Sequence, residues 1–223
     1  MLKQIILFLF LVCLLPCDNF KNKVLIPEPA VNISPPDVNE LLAKALKAKN
    51  LEFNNSYGFS KLDGFLFFKS GHLLDSSEVN AIAVNCRYDT TYSIKLYLRK
   101  DTSWQLEDSI SGLEAFPWQF NLSFNDYNFD MQTDIYIQVS ASNGWSLSRG
   151  HLILIDPRSK KFDLHKEARD FANMCIDQFS KTIISQDWEG YDSLNNSHLT
   201  IYTNKWINGQ LQTINKRDST LKY

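Results

Sequence analysis

The residues best suited to chemistry are few and dispersed. Four histidines stand at His72, His151, His165 and His198, and none keeps a ligand spacing with another His or with a Cys. Zinc sites take ligands in close pairs along the chain, so this distribution gives zinc no support. Asp126-Tyr-Asn128-Phe-Asp130 opens like a calcium loop. Met131 then falls where such a loop needs Gly, and Ile137 where it needs a bidentate Glu. An EF-hand is thereby excluded, which leaves a looser oxygen-ligand site or a solvated acidic loop.

Nucleophilic and acid–base arrangements fare no better. No G-x-S-x-G occurs, and Ser142-Asn-Gly-Trp145 does not form a nucleophile elbow. Asp187 and Glu189 are two apart, a spacing that points them in different directions on a helix. A capped helix end explains them more simply. The chain therefore reads as a non-enzymatic protein, with no catalytic residue, metal ligand or cofactor assigned.

The elements that would position any site are organised around two β-hairpins, Tyr92 to Ser109 and Thr133 to Gly150. They match at a spacing of 41: Ile94, Leu96, Leu98, Trp104 and Leu106 align with Ile135, Ile137, Val139, Trp145 and Leu147. Apolar residues at i, i+2 and i+4 share one face of a strand. Trp104 and Trp145 open the return strands as equivalent core anchors, with sugar stacking as the alternative.

Other strands are expected at Gly64 to Phe68, at Val79 to Tyr88 (Ile82, Val84, Cys86 and Tyr88 on one face) and at Phe116 to Leu122. A hairpin is expected from Leu199 to Ile214 around Asn208-Gly209. Asp37 to Asn50 reads as an amphipathic helix with a capping-box-like start. Leu164, Ala168, Phe171, Cys175, Phe179 and Ile183 recur at spacings of three and four, which predicts a longer helix from Asp163 to Gln186. The expected fold class is α+β: an antiparallel β-rich core of hairpins, an N-terminal helix, and a longer C-terminal helix plus hairpin.

Composition and the N-terminus set the compartment. The 223 residues are 44% hydrophobic and 13% aromatic, enough for a packed core, and the net charge is −2. Without a cationic footprint, nucleic-acid binding has no basis. Ile5 to Pro16 is an apolar run of 12 after a single Lys. That is too short to span a bilayer, which takes roughly 20 residues, and it suits a secretory signal. Residues 1–17 are thus expected to be a cleaved signal, with lipid anchoring through Cys17 as the minor alternative. A Pro-rich linker (18–36), a β-rich core domain (37–157) and a C-terminal helix-plus-hairpin unit (158–223) follow.

After cleavage no membrane span remains, and the protein is expected to be extracellular. There Cys86 and Cys175 would pair, or else lie as two buried thiols. Asn32, Asn54, Asn121 and Asn195 all head N-x-[ST] sequons, as in a glycoprotein.

Two resemblances follow from these segments. Val79 to Cys86, Tyr92 to Arg99 and Trp104-Gln-Leu-Glu107 resemble the curved sheet of nuclear transport factor 2-like domains. Ala168 to Leu194 is similar to the helical opening of such a domain. The resemblance implies a pocket-binding or scaffold protein, with a small apolar ligand in a cavity lined by Ile82, Leu96 and Leu106. Gly71-His-Leu-Leu-Asp75, Phe116-Pro-Trp118 and Val139 to Trp145 instead resemble strands of an immunoglobulin-like or fibronectin-like sandwich. That implies an extracellular protein partner, bound through loops such as Asn125 to Thr133.

Overall fold

The computed structural model describes residues 37–58, 64–74, 76–87, 91–114, 121–141, 148–156 and 158–221. The expected signal and linker lie outside the described residues. Among those described, no helix is long and apolar enough to cross a membrane.

Helix α1 spans Val38–Lys47. Asp37 caps it by accepting the backbone N–H of Asn39 at 3.3 Å, and Leu41, Leu42 and Ala45 form its buried stripe. Beyond it, Asn50 and Leu51 take φ of 55° and 60°, which turns the chain into the first strand.

Five strands then form a meander, β1 (Phe53–Gly58), β2 (Gly64–Gly71), β3 (Asn80–Arg87), β4 (Thr91–Lys100) and β5 (Ser103–Glu114). Each pairs antiparallel with its sequence neighbour. The second sheet orders β6 (Asn121–Asn125), β7 (Asp134–Ala141), β8 (Ser148–Ile155) and β9 (Phe162–His165) in the same way. The third contains β10 (Cys175–Asp177), β11 (Thr182–Tyr191), β12 (Ser197–Ile207) and β13 (Gln210–Leu221).

Alternation along the strands assigns the faces. Phe67, Ile82, Val84, Cys86, Tyr92, Ile94 and Leu96 of the first sheet pack against Leu122, Ile135, Ile137, Ile153 and Ile155 of the second. The first sheet's other face carries Leu66, Phe68, Ala81, Ala83 and Tyr97, and α1 covers it. The second sheet's far face, with Tyr136, Leu152 and Leu154, meets Ile183, Leu211 and Trp206 of the third. The layers run helix, sheet, sheet, sheet. Where β5 and β9 meet, Asp108 accepts the Phe162 amide at 2.8 Å, and Lys161 donates to the Glu107 carbonyl.

The two repeated hairpins are β4–β5 and β7–β8, and they lie in different sheets. Ile94 and Leu96 therefore share a core with their sequence equivalents Ile135 and Ile137. The Asn208-Gly209 turn also forms as expected, with φ of 51° and 76°.

The α+β expectation is overturned: the described residues are mostly antiparallel sheet with one α-helix. The long C-terminal helix does not form. Its segment breaks into β9, a 3-10 turn (Lys166–Asp170), β10 and the start of β11. Asn173 and Lys181 sit at φ of 49° and 52°, which no helix interior accommodates. Asp177 caps a turn by accepting the amides of Phe179 and Ser180 at 3.0 and 3.2 Å. Such local side-chain bonds compete with a helical backbone, and the β-branched run Thr182-Ile-Ile184 favours a strand. Phe179, placed by the period on the apolar face, is fully exposed.

Candidate functional site

His151 is the most informative polar residue. It follows the alternation of Ile153 and Ile155 on β8, so it points into the core between the first two sheets, where it is 4% exposed. There its Nδ1 meets the hydroxyl of Tyr92 on β4 at 2.7 Å. Tyr92 lies opposite Cys86 on β3, and its ring is tilted 52° to the imidazole at 5.7 Å.

Charges crown this pair at one end of the stack. Arg169, in the 3-10 turn, donates to Glu114 at the end of β5 at 3.0 Å. Arg149 on β8 donates to the carbonyls of Arg169 and Asp170 at 3.0 and 2.7 Å and to Asp187 on β11 at 2.6 Å. The 3-10 turn is thus held to all three sheets.

Burial lowers the His151 pKa to about 4; the Arg169 cation adds to this and Glu114 opposes it. Burial also raises the Tyr92 hydroxyl above its ordinary range, against the pull of Arg169. Both groups are neutral near pH 7. A general base works best with a pKa near the operating pH, so this pair suits an internal hydrogen-bonded lock better than proton transfer to a substrate.

Two other histidines make carboxylate contacts. His165 sits between Glu167 and Asp163, at 2.8 and 3.2 Å, and edge-on to Trp206 at 4.8 Å. Trp206 donates to the carbonyl of Tyr127 at 2.8 Å, which joins β12 to the loop before β7. His198 contacts Asp192 and Thr220, both at 3.3 Å, in an acid–imidazole–hydroxyl chain on the surface. Both contacts exceed the reach expected of a nucleophile and its base, although such bonds can be loose without substrate.

The remaining sequence candidates are distributed as follows. Ile82 and Leu96 are fully buried in the inter-sheet core and line no described cleft. Leu106 is 49% exposed. A bulge in β5 pairs Leu96 with Asp108 but Tyr97 with Leu106, which turns Leu106 to the outer face. Trp104 lies on that outer face too, donating to the Leu42 carbonyl of α1 at 2.9 Å. It anchors the helix and does not lie between the sheets. Trp145 lies outside the described residues.

Cys86 is buried in the first core and takes part in no disulfide. Cys175 opens β10 in the third sheet, and because Cys86 is in no disulfide the structure does not join the two cysteines. The export reading pairs them, with the bridge pinning a C-terminal helix to the first sheet; Cys175 lies on a strand instead.

Asp187 and Glu189 lie on β11 beside a bulge, where Asp187 pairs with Arg149 and Glu189 accepts from Thr200 at 2.8 Å. In the calcium-like loop, Asp126 accepts the amides of Asp130 and Met131 at 3.1 and 2.9 Å, so its carboxylate serves the loop's own backbone. Among the described residues no group of three His, Cys, Asp or Glu is placed to hold a metal. A polar cleft of about 390 Å³ lies between Ser77–Val79 and Leu98–Asp101, beside the pairing of Arg99 with Trp104. Asn54 is exposed on β1, Asn121 is half-buried at the start of β6, Asn195 is exposed in a turn, and Asn32 lies outside the described residues.

Only the parity of β8, which sets His151 among inward isoleucines, points to the Tyr92–His151 pair in the sequence. Compared with known proteins, the chain matches no family model, no curated protein and no solved structure.

Proposed function

We propose that this is an exported, non-enzymatic protein-interaction module whose stacked sheets hold recognition loops at one end. One observation carries the reading: the inner faces of the first two sheets are filled by each other, Ile82, Ile94 and Leu96 against Ile135, Ile137 and Ile153. The interior of such a stack is given over to packing, so recognition falls to its surface. Met131, in the loop between β6 and β7, is 89% exposed, and Phe179, in the turn between β10 and β11, is 100% exposed. The antiparallel register sets the Phe179 turn at the same end of the third sheet as Asn208-Gly209. The Trp206–Tyr127 bond then brings that end to the Met131 loop. Exposed apolar residues gathered this way fit a protein partner with an apolar pocket.

The test is a titration of the labelled full chain, secreted from cultured animal cells, onto intact cells. Saturable binding is expected, weakened at least tenfold in the double variant Met131→Asp, Phe179→Asp with its urea midpoint unchanged. Binding indifferent to both substitutions, no saturable binding, or stoichiometric uptake of a small apolar dye by the folded chain would each overturn the reading.

A further inference from the structure

We infer that Asn195 carries an N-linked glycan whose first sugar lies against Tyr191 and Leu194. This rests on the export reading above. Asn195-Asn196-Ser197 is a sequon in the turn joining β11 to β12, whereas Asn54 and Asn121 sit within strand ladders. Asp192 builds the turn: its Oδ1 accepts the amides of Leu194 and Asn196 at 2.8 and 2.9 Å. Its Oδ2 accepts the Asn196 side chain at 2.8 Å, and its carbonyl takes the Asn195 amide at 3.1 Å. None of these bonds uses the Asn195 side chain. Asn195 sits at φ 61°, a conformation Asn tolerates better than most residues.

Beside this acceptor the surface is apolar. Leu194 is 79% exposed and Tyr191 is 51% exposed. The bulge between Trp188 and Gly190 sets Trp188 and Tyr191 on one face, and their rings meet edge to face at 5.4 Å and 74°. Trp188 is fixed in turn by donating to Ser197 Oγ at 3.0 Å. A pyranose presents a face of C–H bonds that packs on an aromatic ring or an aliphatic side chain. A sugar on Asn195 would cover apolar surface that is otherwise left to water. In the modification, Asn195 Nδ2 bonds to the anomeric carbon of an oligosaccharide held on a lipid pyrophosphate. The sugar–phosphate C–O bond breaks, the lipid pyrophosphate leaves, and the amide loses one proton.

The test uses the full chain secreted from animal cells, digested with peptide N-glycosidase in heavy-oxygen water, which converts each glycosylated Asn to mass-labelled Asp. Label at Asn195 is expected, and Asn195→Gln should remove one glycan from the intact mass. Enzymatic glycan removal should lower Tm by on the order of 2–4 °C in the native chain, and by much less in Tyr191→Ala. A secreted chain unmodified at Asn195, whatever its other sequons carry, overturns this inference and leaves export standing. A chain kept inside the cell with its leader intact overturns both. An equal Tm change in the native chain and Tyr191→Ala removes the seat on Tyr191.

Discussion

Tyr92 and His151, 59 positions apart in sequence, close a 2.7 Å hydrogen bond inside the apolar interface between two sheets. A buried polar atom deprived of its partner costs about 1–3 kcal/mol, whereas replacing both partners by apolar groups can be close to neutral. Tyr92→Phe is expected to lose about 1–3 kcal/mol. His151→Leu should lose a similar amount, and the double variant less than the sum. Urea unfolding of the four proteins measures the cycle. Strict additivity would mean that the bond contributes nothing.

Stability against pH should show two opposed buried groups. His151 titrates at about 4 when folded and about 6.5 when unfolded, so the unfolded state binds more protons between those values. Its contribution is present above pH 6.5 and is lost as pH falls toward 4. Asp134 is fully buried, accepting the amides of Tyr127 and Ile155 at 2.9 and 3.1 Å. Burial pushes its pKa up to about 7 despite those bonds. The folded state then holds the extra proton between about pH 4 and 7, so stability falls as pH rises through that range. The native chain should be nearly flat from pH 4.5 to 6.5. Asp134→Asn should gain roughly 2 kcal/mol over that interval and His151→Gln should lose about as much. Native and variant curves of the same slope would refute both assignments.

Gly150 is expected to tolerate no side chain. A Cβ there would fall 2.3 Å from the Ile137 carbonyl oxygen and 2.7 Å from Tyr136 Cζ. Neither the β7 backbone nor the ring can yield cheaply, so Gly150→Ala should cost at least about 3 kcal/mol. Thermal unfolding reads it directly, and a loss under about 1 kcal/mol would show that the two strands can part.

Cys86 should behave as a sheltered thiol. Without reductant, a maleimide should leave it untouched in the native chain and modify it in 6 M guanidinium, as seen by peptide mass. Failure to react after unfolding would reveal a bridge.

Trp206→Phe keeps most of the apolar surface and removes the bond to the Tyr127 carbonyl. A loss of about 1–2 kcal/mol is expected, with faster amide exchange in the Asn125 to Thr133 loop than elsewhere in the second sheet. Unchanged exchange would detach that loop from the third sheet.

Strands were legible where alternation and turn chemistry agreed. Ile94 with Leu96, and Ile135 with Ile137, share one strand face by alternation, and all four are fully buried; Asn208-Gly209 makes its turn. Two signals misled. The period from Leu164 to Ile183 was met by residues on separate elements, because Asp177 and the left-handed Asn173 and Lys181 make turns that no periodicity registers. Leu106 kept strand alternation in sequence, but the β5 bulge reverses its face, and only the pairing with β4 reveals that extra residue. The Tyr92–His151 contact joins different sheets, a relation that spacing along one chain does not encode.

Within each of the three sheets, every strand after the first lies beside the one that precedes it in the chain. No strand pairing within a sheet then has to wait for a distant segment, which keeps loop-closure costs of pairing low and favours rapid folding. A polypeptide emerging end first from a narrow conduit could zip each ribbon as it appears, and the sheets would dock in the order of their emergence.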